Sequence, residues 1–148
     1  MKRLFLIAAI GLTLISQTAF AGEDNLVTET VIKSFTSSFK SATDVTWTVS
    51  DNIYKASFSL NGQHVSAYYN ADGQMLAMTR NISSSQLPLT LQASLKKSYE
   101  DYWITDLFEM ANEEGTFYYI TLENADVKLV MKASGYSDWT SYARQRKS

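Results

Sequence analysis

The chain has 148 residues, 45% hydrophobic and 13% aromatic, with no cysteine and a formal net charge of −2. The missing thiols exclude a disulfide scaffold, a cysteine nucleophile, an iron–sulfur cluster and cysteine-ligated zinc. The mildly acidic balance excludes bulk binding of a nucleic-acid backbone, which needs clustered Lys and Arg.

Residues 1–21 read as a secretory leader. Lys2 and Arg3 form its basic start, residues 4–15 are an apolar run too short to span a bilayer, and Ala19-Phe20-Ala21 is a small-x-small cleavage site. Cleavage is expected after Ala21, leaving Gly22 as the first mature residue. Losing Lys2 and Arg3 takes the formal net charge from −2 to −4. No later stretch is apolar enough to cross a membrane, so the expected location is periplasmic or secreted, without stable membrane insertion after cleavage.

A helix is predicted over residues 28–41, capped by Asn25 or Thr28, because Val31, Phe35 and Phe39 recur every four residues with Ile32 and Ala42 beside them. Val45, Trp47 and Val49 then alternate with threonines as a strand, and Asp51-Asn52 turns the chain. Residues 54–79 hold two hairpin signals, Asn61-Gly62 and Asp72-Gly73. With two-residue loops, Leu60 faces Gln63, Phe58 faces Val65, Ala56 faces Ala67 and Tyr54 faces Tyr69. The second loop sets Tyr69 against Leu76 and Ala67 against Met78. Both turns put the same apolar set on one face, which specifies a three-stranded antiparallel meander. Ser57, His64, Ser66, Tyr68, Ala77 and Thr79 fall on the other face.

The second half repeats the order. Pro88 opens a helix over residues 88–101, with Leu87, Leu91, Leu95 and Tyr99 as its stripe. A strand is predicted over residues 103–110, a turn at Glu113-Glu114-Gly115, a hairpin around Asn124-Ala125, and a last strand over residues 136–142. The hairpin pairs Leu122 with Val127, Ile120 with Leu129 and Tyr118 with Met131. Arg144, Arg146 and Lys147 read as a solvated tail. The expected fold is α+β: two tandem repeats, each one helix plus a four-stranded antiparallel sheet, with the helices on one face. The first repeat is assigned to residues 22–81 and the second to residues 82–148, together one compact unit.

Val45-Thr46-Trp47 after an aromatic helix, Tyr54 to Phe58, Tyr69 to Gly73, and Leu87-Pro88 before a second helix resemble the PepSY-like proteins of Bacteroidetes-type bacteria, a group related in fold to the β-lactamase inhibitory protein. The resemblance covers nearly all of the mature chain. It implies two tandem helix-plus-antiparallel-sheet units, export, no known enzymatic activity, and binding or inhibition of another protein through the helix-free sheet face. It carries over no contact residue, because no motif here matches the inhibitor's contact loops.

The residues themselves offer no catalytic, metal or cofactor constellation. The single histidine, His64, lies in a strand without a nucleophile elbow, and the acidic pairs lack calcium-loop spacing. Asp106 and Glu109 are the carboxylates a glycosidase reading would use, and Asp106 shares strand parity with Ile104, Phe108 and Met110, which aims it inward unless a bulge intervenes. A partner-binding surface is instead predicted on the helix-free face. Tyr68, Tyr119, Val130 and Trp139 are its apolar anchors, and Lys128 and His64 its polar rim. The expected function is non-enzymatic binding of a protein or peptide partner. The alternative is a small-molecule or envelope-ligand binder with its pocket between helices and sheet.

Overall fold

The computed structural model describes residues 26–148. The predicted leader, its cleavage site and the helix cap considered at Asn25 lie outside the described residues. Helix α1 (Glu29–Ser38) is capped by Thr28, whose Oγ1 accepts a hydrogen bond from Val31 N at 3.3 Å. Val31 and Phe35, one turn apart, are buried. The helix stops before residue 41 because Phe39 leaves helical geometry (φ −127°, ψ 63°). Its ring instead packs on Phe35 and Phe58, with centroids 5.4 and 4.8 Å away.

Strands β1 (Thr43–Ser50), β2 (Ile53–Leu60), β3 (Gln63–Tyr69) and β4 (Met75–Asn81) follow, then a 3-10 turn (Ser84–Gln86) and helix α2 (Leu89–Ser98). Pro88 precedes α2 in extended geometry, and the helix ends at Ser98 rather than residue 101. Strands β5 (Trp103–Asn112), β6 (Gly115–Glu123), β7 (Val127–Ser134) and β8 (Thr140–Arg146) complete the chain.

All eight strands form one antiparallel sheet in the order β1 to β8. This corrects the expected fold, which divided the strands between two tandem helix-plus-four-strand repeats. The supposed boundary is an ordinary ladder: β4 pairs with β5 from Ala77–Asn112 to Asn81–Phe108. An unpaired β4 would leave a row of backbone groups open in mid-molecule, and β5 satisfies them. Residues 26–148 form one mostly strand sheet carrying two helices.

Both helices lie on one side of that sheet. Val31 and Phe35 of α1 pack with Tyr54, Ala56, Phe58, Val65, Ala67 and Tyr69. Leu91 of α2 packs with Leu107, Ile120, Leu122, Leu129 and Met131. The cross-strand row Val65, Arg80, Glu109, Tyr118 joins the two cores. Within it Arg80 Nε and Nη2 donate to the two oxygens of Glu109 at 3.0 and 3.2 Å. The hydrogen bond to that carboxylate and its charge raise the guanidinium's pKa.

The turns decide the register. Asp51, Asn52, Asn61 and Gly62 all have positive φ, as two-residue hairpin loops require. The β2–β3 ladder accordingly runs from Tyr54–Tyr69 to Leu60–Gln63, as predicted. The β3–β4 loop is longer than predicted. Asn70 N donates to Gln74 O at 3.0 Å, and Asn70 Oδ1 accepts from the backbone of Asp72 and Gln74. Tyr69 therefore faces Met75, not Leu76, and a bulge at Leu76 restores the predicted Ala67–Met78 pair. In the β6–β7 hairpin Asn124 Oδ1 accepts from the backbone of Asp126 and Val127, which widens the loop. Leu122 faces Leu129, Ile120 faces Met131 and Tyr118 faces Ala133. That two-residue slip from the prediction keeps every side chain on its predicted face.

Strand β8 begins four residues later than predicted and takes in Arg144 and Arg146. Lys147 is not a free tail: its Nζ lies 3.0 Å from Glu123 Oε1 and 5.2 Å from the centre of the Trp103 ring.

Candidate functional site: the helix-free sheet face

The side of the sheet away from the helices carries its own apolar cluster. Ile53, Tyr68, Ala77, Met110 and Tyr119 are buried there, with Leu76, Phe108, Phe117 and Tyr142 packed around them. Among the described residues no helix covers them, and the rings shield one another. Phe108 stacks on Tyr119 with centroids 5.1 Å apart, and Tyr142 meets Tyr119 edge-on at 5.6 Å. These are the offset and T-shaped arrangements that aromatic quadrupoles favour.

A bulge in β5 creates much of this surface. The register shifts between Ile104, which faces Leu122, and Asp106, which faces Thr121. Beyond the shift, Asp106, Phe108 and Met110 lie on the helix-free side and Leu107 enters the helix-side core. Asp106 thus does not point into the helix-covered core, in keeping with the bulge considered for it. Burial raises its pKa, opposed in part by the Leu107 N–H and Lys128. Glu109 lies on the opposite face against Arg80. The two carboxylates of the glycosidase reading therefore flank no common cleft.

Lysines edge the aromatic cluster. Lys132 Nζ stands 4.5 Å from the centre of Phe117 and 5.5 Å from that of Tyr119, and Lys55 Nζ stands 5.7 Å from that of Tyr68. Ring faces attract a cation by their quadrupole. Neither lysine has a carboxylate partner among the described residues. Burial lowers the pKa of Lys55 and raises those of Tyr68 and Tyr119. Thr79 hydrogen-bonds Tyr68, and Ser57 Oγ lies 3.2 Å from Ser66 Oγ. Lys55, Lys128 and Lys132 share the face with Asp106 and Glu123, and Glu123 is already held by Lys147. The face is thus more cationic than the chain as a whole. Chemically it offers aromatic surface and ammonium groups. Among the described residues no three His, Asp or Glu side chains group to hold a metal ion.

The predicted site residues are only partly brought together. Tyr68 and Tyr119 sit within the aromatic cluster. Val130, between Thr121 and Ala143, and Lys128, opposite Glu123, extend the same face across β7. His64 is exposed opposite Ser59 at the far end of β3. Trp139 is a correction. It does not lie beside Val130 but is buried in the helix-side core, where Nε1 donates to Leu91 O at 3.2 Å. The segment after β7 is longer than a two-residue loop, with Ser137 Oγ accepting from Ser134 N, so Trp139 precedes β8 instead of standing in it. The sequence reading missed Lys55, Phe108, Met110, Lys132 and Tyr142. Lys55 opposite Tyr68 follows from the predicted hairpin register; Phe108 and Met110 needed the β5 bulge.

No protein-family model matches the chain, and no curated protein matches it in sequence. Solved structures do match. A BLIP-like protein from Bacteroides fragilis superposes with a TM-score of 0.67 at 18% identity, over 80% of this chain and 85% of that one. A candidate periplasmic protein from Bacteroides eggerthii gives 0.73 at 13% identity, over 81% and 88%. A DUF2874 family protein from Bacteroides ovatus gives 0.68 at 18% identity, over 80% and 86%. None of these three carries the PepSY-like name. At such identities the likeness is one of fold, and this chain shares the fold of these Bacteroides proteins.

Proposed function

We propose that this chain is a non-enzymatic, exported binding protein that engages a protein or peptide through the helix-free face of its sheet. The observation that carries the reading is an apolar, ring-rich cluster spanning β2 to β8 over which no helix lies among the described residues. Lys55 and Lys132 stand on its rings without carboxylate partners among the described residues. Rings presented beside cations suit a partner surface with apolar side chains and carboxylates, and such charge complementarity sets association rate and specificity. Likeness in fold to a BLIP-like protein supports a binding role, and the periplasmic description of the Bacteroides eggerthii neighbour supports an envelope location. Among the described residues no helix is long and apolar enough to cross a membrane.

Of the residues predicted as anchors, Tyr68, Tyr119 and Val130 remain in this reading with Lys128, and Lys55, Phe117 and Lys132 join them. The test is capture from an envelope extract of the source organism by residues 22–148. The Lys55→Glu/Lys132→Glu double variant is expected to reduce recovery of the captured partner at least about tenfold, with the fold intact by circular dichroism. Undiminished capture by that variant overturns the reading.

A further inference from the structure

The sheet ends in two edge strands, β1 and β8, and among the described residues no further strand pairs with either. The two edges are not alike. On β8 the residues opposite buried Val127 and Leu129 are Arg146 and Arg144. Both therefore stand on the helix side, where an added strand would lay its own side chains, and charge in that position blocks edge pairing. Strand β1 carries no such guard. It has no Lys, Arg or Pro, and its one charged residue, Asp44, sits in the bulge at its start with φ 55°.

From Thr46 to Ser50 the edge is regular. The two-residue turn Asp51-Asn52 makes Ser50 and Ile53 a hydrogen-bonded pair, so Thr48 and Thr46 also bond to β2. The alternation turns the N–H and C=O of Trp47 and Val49 away from β2, and no loop or helix end among the described residues meets them. The side chains alternate in step. Trp47 lies on the helix side, its ring 5.3 Å from that of Phe35, with Val49 partly buried in the same core. Thr46, Thr48 and Ser50 are exposed on the other side.

The strand that fits this edge is uncharged, with large apolar residues on the helix side and small hydroxyl residues on the other. β1 itself has that pattern, and β8, with arginines on its helix side, does not. We infer that β1 is a self-association edge on which a second copy of this chain pairs β1 to β1, antiparallel, about a two-fold axis at Thr48. The outward backbone groups fix the register. Trp47 stands opposite Val49 of the second copy and Val49 opposite its Trp47, each pair exchanging both backbone hydrogen bonds. Thr48 then faces Thr48 across the axis in a non-bonded pair, and Thr46 faces Ser50. Aromatic against β-branched and hydroxyl against hydroxyl are favourable cross-strand pairs, and no like charges meet within this register. A two-fold contact of this kind closes at two copies. It also sets the two helix-free faces side by side, whatever those faces bind.

The chain has no cysteine, so single cysteines report the register directly. In the mature protein, residues 22–148, Thr48→Cys is expected to form a disulfide-linked dimer in air, because directly opposed non-bonded residues have the Cα separation a disulfide needs. Thr46→Cys, on the same face of the same strand, is expected to link far more slowly, since its counterpart lies roughly 14 Å away in this register. Sedimentation of the unmodified chain is expected to show a reversible dimer with a Kd on the order of tens of micromolar, the weak end for a small interface. Thr48→Lys sets like charges together on the axis at an exposed position and is expected to leave a folded monomer. A monomer at millimolar concentration, equal linking by Thr46→Cys and Thr48→Cys, or a dimer that persists in Thr48→Lys each overturns the proposal. Thr48→Cys linking only to another protein of an envelope extract also overturns it, and assigns the edge to an extended segment of that protein.

Discussion

Gly62 and Gly73 share a φ of +79°, yet only Gly73 has neighbours where a Cβ would stand. Replacing Gly62 by Ala is expected to cost only the left-handed backbone penalty, roughly 1–2 kcal/mol. Gly73→Ala is expected to cost more, because Ser34 Oγ must move and Thr30 O is backbone. Urea unfolding checks the ranking, and Ser34→Ala is expected to recover part of the loss at Gly73 but none at Gly62. Asp106 illustrates a charge placed unfavourably by a bulge. Burial raises its folded pKa above the ordinary 3.8, so the folded state prefers the protonated carboxyl. The associated stability is fully present below the unfolded pKa and is lost as pH rises through the folded one. Asp106→Asn is therefore expected to raise the melting temperature at neutral pH, with the gain vanishing in acid below the ordinary carboxylate range. A gain that persists in acid would mean that the carboxyl's charge is not the cause.

At the scale of elements, turn chemistry explains both what was legible and what was not. Asn61-Gly62 fixes a two-residue loop, so every pair of the β2–β3 ladder was readable from sequence. Asp72-Gly73 resembles the same signal, but Asn70 offers its side-chain oxygen to two backbone N–H groups and stabilises a longer loop. The stripe Val31, Phe35 and the cap at Thr28 were likewise visible. Bulges at Thr105 and Tyr142 have no comparable local code, because they arise from how neighbouring strands fit. Phe108 and Met110 were misplaced by the bulge at Thr105, and Trp139 by the long connection between β7 and β8. The join between β4 and β5 was hidden too, since strand pairing across an intervening helix leaves no periodic trace. Its Arg80–Glu109 pair is bidentate and only part-exposed, at 40% and 20% for the two side chains. Glu109→Gln is expected to lower stability by about 1 kcal/mol, and less in high salt. In the first core Phe58 is fully buried between Phe35 and Phe39. Phe58→Ala is expected to cost about 3–5 kcal/mol in the same unfolding experiment.

The whole molecule is one sheet with two unlike sides. The helix side holds two cores bridged by a polar row, and the other side holds aromatic rings edged by lysines. A continuous sheet predicts cooperative unfolding: tryptophan fluorescence, which samples both halves through Trp47, Trp103 and Trp139, should follow the same urea transition as far-ultraviolet circular dichroism. Two separated transitions would contradict a single folding unit. The asymmetry of the sides carries the functional account, and site-specific photo-crosslinking tests it most directly. A photoreactive residue at Val130 or Phe117 on the helix-free face is compared with one at Thr90 on α2, in an envelope extract of the source organism. The account predicts a discrete crosslinked protein from Val130 and Phe117 that is absent from Thr90 and is lost in the Lys55→Glu/Lys132→Glu background. Crosslinking from Thr90 alone, or equally from both sides, would contradict it.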